Sequence, residues 1–205
     1  MKVAIIGAGN VGKALGTSMT RAGHEVTISA STPESAEAAA RVIGASPADS
    51  AADAVKDASI IILAIPYQAG GSVAAEIADR VSGRTIIDVT NPIRPDFSGL
   101  ATDTSAAEEL QIQLPDAHVV KAFNTLFASL QADPSAASAP IDGYVAGDDA
   151  DAKREVMSLL ESIGLKPLDV GPLSSSRYLE GMAYVNIGLN AQNGWSWTSS
   201  WHLER

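Results

Sequence analysis

The chain predicts an α/β fold: a doubly wound, mostly parallel sheet with helices on both faces. Three observations carry that prediction. Short apolar runs alternate with alanine-rich or amphipathic stretches along most of the 205 residues, and strands separated by helices imply right-handed crossovers in a parallel sheet. The run Ser59-Ile60-Ile61-Ile62-Leu63-Ala64-Ile65 is almost wholly apolar, which suits a strand covered on both faces. And Lys2-Val3-Ala4-Ile5-Ile6 runs through Gly7-Ala8-Gly9-Asn10-Val11-Gly12 directly into a helix-like stretch from Lys13 to Ala22.

The elements follow in order. Glu25 to Ser29 reads as the second strand, entered by a turn at Gly23-His24. Pro33 to Ile43 is a helix with Thr32 as its N-cap and proline at its first position. Asp49 to Lys56 is a short helix. The apolar strand from Ser59 is ended by Pro66, and Gly71 to Val81 returns as a helix. Thr85 to Val89 and His118 to Ala122 are further strands, and Asp133 to Pro140 is a loop rich in Ala, Ser and Pro. Gly143 to Ala146 begins a strand that leads to a helix from Asp149 to Ser162, whose early acids suit the helix dipole. Leu165 to Val170 is the last strand. From Ser174 the character changes: Arg177 to Asn193 reads as a helix, and Trp195, Trp197 and Trp201 follow it. The expected organisation is a nucleotide-binding domain over 1–173 and a helical, Trp-rich cap over 174–205, packed on the same domain or on a partner.

The glycine loop is G-x-G-x-x-G between a strand and a helix, the context in which that spacing carries meaning. The first glycine permits the tight turn, the second lets a pyrophosphate approach the backbone, and the third lets helix and strand pack closely. Free N–H groups at the helix start attract the anion. The sheet is therefore read as a Rossmann fold. In NAD-binding members an acid at the end of the second strand bonds the ribose hydroxyl. Here Ser29, Ala30, Ser31 and Thr32 stand there, and Glu34 is the first acid after them. Hydroxyls and helix-start amides accept a 2′-phosphate that a carboxylate repels, so NADP is favoured over NAD, although Arg41 is two helical turns away. Ser31 and Thr32 also serve as cap residues.

Ligands bind outside the carboxyl ends of such strands. Three further ends carry distinctive residues: Ala64-Ile65-Pro66, where small groups leave room for a ribose or nicotinamide; Asn91-Pro92, where the amide offers donor and acceptor; and Ala122-Phe123-Asn124, where Asn124 is placed to bond the nicotinamide carboxamide or to orient a second substrate.

Composition excludes other classes. There are no cysteines, which removes disulfides, thiolate chemistry and Cys-based metal sites. Net charge is −10, which opposes nucleic acid and anionic membranes. No apolar run approaches the roughly 18 residues of a membrane span, and no leader is expected ahead of the first strand; a cytoplasmic location fits. The three histidines, His24, His118 and His202, are scattered and show no metal spacing.

Four segments together resemble a known family: Gly7 to Gly12, Asp88-Val89-Thr90-Asn91-Pro92, Val119-Val120-Lys121-Ala122-Phe123-Asn124-Thr125, and Asp169-Val170-Gly171-Pro172-Leu173 followed by Arg177 and Leu179-Glu180. They look like the NADPH-dependent reductases of the deazaflavin coenzyme F420, over residues 1 to about 190. The resemblance implies a nucleotide on Gly7 to Gly12, its 2′-phosphate near Ser29 to Thr32, and nicotinamide near Ala64 to Pro66 and Ala122 to Asn124. A deazaflavin would stack over that ring in a cleft closed by the C-terminal segment. Ser31 departs from the arginine that family members often carry.

The expected reaction is direct hydride transfer between NADP(H) and coenzyme F420, with the cofactors supplying the chemistry and no certain catalytic side chain. Other readings are an NADPH-dependent reductase of a flavin, carbonyl or imine, or a non-enzymatic NADP(H) sensor. A carbonyl or imine needs a proton, for which Lys121, Tyr178, Tyr184 and His202 are the available donors. Arg94 and Arg177 are candidate cations for an anionic deazaflavin tail. The tryptophans wall a ring or pack, packing being favoured, and apolar residues on the last helix lead us to expect a homodimer.

Overall fold

In a computed structural model, residues 1–204 are described. They form, in order, β1 (Lys2–Ile6), α1 (Asn10–Arg21), β2 (Glu25–Ser29), α2 (Pro33–Ile43), β3 (Ser46–Ala48), α3 (Ala51–Ala54), β4 (Ile60–Leu63) and α4 (Gly70–Ile77). Then come β5 (Thr85–Asp88), α5 (Ala106–Gln113), β6 (His118–Lys121), α6 (Ala128–Ala132), β7 (Asp142–Gly147), α7 (Ala150–Ser162), β8 (Lys166–Asp169) and α8 (Ser176–Asn193). The expected α/β architecture is present as a sheet in the order β3-β2-β1-β4-β5-β6-β7-β8. Neighbours are parallel except β6 and β7, which pair antiparallel at Val120 with Gly147 and Lys121 with Ala146. The chain after β6 turns back from the C-terminal edge through α6 instead of crossing the sheet, so β7 runs the other way.

Side-chain alternation explains the two helical layers. Val3, Ile5, Ile60 and Ile62 join one buried cluster with Leu15, Met19 and Val156. Ala4, Ile6, Ile61 and Leu63 join another with Ile77, Val81 and Leu110 on the opposite face. Adjacent residues of one strand thus serve opposite layers. Each fully buried aliphatic side chain contributes roughly 1.5–3 kcal/mol.

Three elements lie outside the sequence expectation. β3 is a short edge strand with Pro47 at its centre, a position where the missing N–H is tolerated. α5 begins at Ser105, whose hydroxyl accepts from the Glu108 N–H. α6 occupies five residues beside α1. The loop expected from Asp133 to Pro140 contains a 3-10 turn, Pro134–Ala136, capped by Asp133.

α8 packs Leu179 on Tyr144 and Ala146 of β7. Gly194 ends it in the left-handed conformation (φ 63°), and the chain folds back along the helix. Ser199 Oγ donates to Asn186 Oδ1 at 2.7 Å, Trp201 Nε1 donates to the Met182 carbonyl at 3.2 Å, and Leu203 N donates to Asp142 Oδ2 at 2.6 Å. Arg205, the last residue of the expected cap, lies outside the described residues. Among the described residues no helix is long and apolar enough to cross a membrane.

Candidate functional site

Two cavities flank the N-terminus of α1. The larger, about 620 Å³, is lined by Gly7, Ala8 and Gly9, by Ser29, Ala30 and Ser31, and by Ala64, Ile65 and Pro66. The smaller, about 260 Å³, is lined by Val11, Asn91 and Asn124, with Phe127 and the α8 residues Ala183, Asn186 and Ile187. Five separate strand ends, those of β1, β2, β4, β5 and β6, are thereby brought to one edge. Asn10, Gly12, Thr32, Pro92, Ala122 and Phe123, also expected at the site, line neither cavity. Asn10 opens α1 and Thr32 caps α2. Gly12, Pro92, Ala122 and Phe123 are buried supports.

The three loop glycines meet different constraints. A Cβ on Gly7 would stand 2.1 Å from the Ala64 carbonyl oxygen, and Gly7 has φ of +113°. A Cβ on Gly12 would stand 1.8 Å from the Gly7 carbonyl oxygen. A Cβ on Gly9 would meet nothing within 4 Å. Protein packing thus requires the first and third glycines but leaves the second facing open space, the cradle a diphosphate needs. Gly9 is the N-cap of α1, and no side chain caps the free amides there.

The donors in the larger cavity are hydroxyls and amides. Ser29 is buried, and its Oγ has no hydrogen-bond partner. Thr32 Oγ1 accepts from Ser35 N at 3.2 Å and caps α2, while the exposed Ser31 lines the cavity. Among the described residues no Lys or Arg lines this cavity, whereas Asp49 and Glu76 do. Arg41 lies in the last turn of α2 and does not reach it. After Pro66, the Tyr67 hydroxyl donates to Glu109 Oε2 at 2.6 Å. That bond, with burial, pushes the phenol up to about 12, so the turn stays anchored to α5.

In the smaller cavity the two asparagines pair. Asn124 Nδ2 donates to Asn91 Oδ1 at 2.9 Å, and Asn91 Nδ2 donates to the Asn124 carbonyl at 3.0 Å. Asn124 Oδ1 is left buried without a partner, and an orphaned acceptor of this kind calls for a donor from a ligand. Phe123, just before it, is 1% exposed and holds φ of 64°. A non-glycine residue in that region carries strain of about 1–3 kcal/mol and is a mark of functional sites. Gln131 Nε2 donates to its carbonyl at 3.0 Å and helps hold the turn.

The four proton donors considered from the sequence line neither cavity. Lys121 is fully buried and bonded to Asp88 and Glu180. Tyr178 is exposed, Tyr184 donates to the Phe97 carbonyl, and His202 lies 3.2 Å from Asp142. Of the candidate cations, Arg177 pairs with Glu108 at 3.3 Å. His24 sits between the chain amino group and Ser162, where burial lowers its pKa. The sequence reading missed the ion cluster around Lys121. Burial drives the Glu180 carboxyl above its ordinary range there.

A family description, "NADP oxidoreductase coenzyme F420-dependent", matches residues 2–92. The F420-dependent NADP reductase of Methanothermobacter marburgensis is 32% identical over 94% of this chain and 94% of its own. The chain belongs to the coenzyme F420-dependent NADP oxidoreductase family. It is also 30% identical to rat metalloreductase STEAP3 over 88% of this chain, which spans only 36% of that longer protein. A crystal structure of a candidate F420-dependent NADP reductase from Arthrobacter sp. FB24 superposes with a TM-score of 0.87 at 29% identity, covering 100% of both chains.

Proposed function

We propose that this chain transfers a hydride between NADP(H) and the deazaflavin coenzyme F420. The observation that carries the reading is that the smaller cavity opens beside the α1 terminus and, among the described residues, is lined by no titratable side chain. Such a lining suits a reaction in which the protein aligns two rings and donates no proton; a carbonyl or imine acceptor needs an acid that the lining lacks. Resemblance to the Methanothermobacter reductase over nearly the whole of both chains supports the acceptor.

The site residues then take these roles. The α1 amides and open Gly9 hold the diphosphate. Ser29, Ser31 and the start of α2 hold the 2′-phosphate, Ala64 to Pro66 leave room for the ribose, and Asn124 Oδ1 accepts from the carboxamide. Bound there, the nicotinamide would exchange the hydride with the deazaflavin ring. The chain's own contribution is to orient both and exclude water, and proximity of that kind supplies several kcal/mol of barrier lowering. The division into a nucleotide-binding body (1–173) and a cap (174–205) belongs to this reading, supported by the way α8 lines the smaller cavity. So does a homodimer: Tyr178, Val185 and Leu189 are exposed on one face of α8. A cytoplasmic location suits an enzyme that draws on NADPH.

Mixing the protein anaerobically with NADPH and coenzyme F420, and following the deazaflavin absorbance, tests the reaction. Saturable loss of the oxidised deazaflavin is expected, and bound NADPH with no exchange in either direction would falsify it. A tenfold preference for NADH would overturn the 2′-phosphate assignment, and a monomeric mass in sedimentation would overturn the dimer.

A further inference from the structure

Two charges close neighbouring strands at one register. Asp88 ends β5, Lys121 ends β6, and they are Cα partners across the sheet. Lys121 is fully buried, and its Nζ donates to Asp88 Oδ2 at 2.8 Å, to Glu180 Oε1 on α8 at 2.7 Å, and to the Thr90 carbonyl. All three ammonium hydrogens are therefore used. Glu180 Oε1 also accepts from Ala106 N at the start of α5, at 3.0 Å. A buried ion cluster is a weak source of net stability, because desolvation offsets the attraction. What this cluster supplies is geometry.

The bonds can be followed into the smaller cavity. Thr90 is held at both ends: its N–H donates to Asp88 Oδ1 at 2.9 Å, and its carbonyl accepts from Lys121. The next residue, Asn91, is reciprocally bonded to Asn124, whose free Oδ1 is the orphaned acceptor of the site. In the other direction Glu180 lies on α8 one turn before Ala183 and two turns before Ile187, both of which line the same cavity. One ammonium ties the two walls together.

We propose that Lys121 is a positioning residue for hydride transfer: it sets the Asn91–Asn124 pair against α8 and so fixes where the nicotinamide ring rests, without touching it. The inference rests on the reading that the nicotinamide half of the dinucleotide lies at Asn124.

The test uses Lys121→Met, which keeps length and removes the charge, with Glu180→Gln as the conservative control because its amide oxygen still accepts from Lys121. With Lys121→Met, NADPH affinity should stay within threefold of the parent, since the glycine loop is untouched. Single-turnover hydride transfer at saturating NADPH should fall about 100-fold, the size expected for a misplacement near 1 Å, and the fluorescence of bound NADPH should shift towards that of free NADPH. Glu180→Gln should keep the parent's rate within threefold. A purely structural role would lower the folded fraction but leave the rate per bound nucleotide unchanged; that result, or an equal loss in Glu180→Gln, would overturn the proposal. Should Lys121→Met not fold, Asp88→Asn releases one hold on Thr90 and should slow transfer about tenfold; a parental rate there overturns it. If the parent does not reduce coenzyme F420 at all, the reaction reading fails by itself. Bound-NADPH fluorescence then decides the positioning role, an unchanged emission in Lys121→Met counting against it.

Discussion

The two cavities at the sheet edge are built in opposite ways. The larger is made by removing side chains: Gly7 and Gly12 let backbone lie on backbone, and Gly9 leaves a space that the protein does not fill. The smaller is made by fastening side chains: an asparagine pair, a left-handed Phe123, and a buried ammonium shared by two carboxylates. The first design turns on three glycines of one six-residue loop, although the backbone that Gly7 lies against belongs to Ala64 after β4. The second draws on β5, β6 and α8, which meet only once the chain has folded.

Substitutions in the loop test that contrast most severely. Gly12→Val forces a Cβ onto the Gly7 carbonyl and should destabilise by about 4 kcal/mol or more, read as a lowered denaturation midpoint. Gly9→Val should destabilise by no more than about 1 kcal/mol, the cost of a poorer N-cap at an exposed position. It should nevertheless weaken NADPH binding about 100-fold, or roughly 2.7 kcal/mol, by calorimetry; equal unfolding of both variants would erase the distinction between packing and ligand glycines. In the larger cavity, which no Lys or Arg among the described residues lines, Ser31→Arg should tighten NADPH about tenfold, near 1.4 kcal/mol, through a charge-assisted bond to the 2′-phosphate while leaving NADH unchanged. A gain for both nucleotides would place the 2′-phosphate elsewhere.

The mildest effect concerns the other cavity and depends on pH. Burial, the dominant influence, raises the Glu180 carboxyl in the folded protein. A carboxyl raised on folding contributes stability that is fully present below its unfolded pKa and is lost as pH rises through the folded value. Glu180→Gln should therefore flatten the decline of stability over that rising-pH window, measured by denaturant unfolding at a series of pH values. An unaltered slope would mean that Glu180 stays as easily ionised in the fold as in the open chain.

This contrast also explains what was legible in the sequence. Strand–helix alternation and the glycine loop were readable because their causes are mostly local: an unbroken apolar run in Val3 to Ile6, buried throughout, and the steric exclusion of Gly12 by the Gly7 carbonyl. The serines after β2 were readable for the same reason. α5 escaped notice although Ser105 and Glu108 form a capping-box spacing; here Ser105 Oγ caps the Glu108 N–H at 3.1 Å. The ion cluster carried a fainter signal: a single acid and a single base, each closing a strand directly after two aliphatic residues. Their partnership became visible only through the β5–β6 register, and Glu180 lies 59 residues beyond Lys121. The reversal at β7 had no local signature, since it follows from where the chain turns back.

The tail after α8 gives the molecule an optical property. All three tryptophans stand there, and the ring of Trp197 meets Phe127 edge-on with centroids 5.3 Å apart. Phe127 is itself part of the smaller cavity's lining. An indole is thus coupled through one aromatic neighbour to the chamber where an acceptor would dock. Its emission should respond when that chamber fills, which makes occupancy measurable in the unlabelled polypeptide.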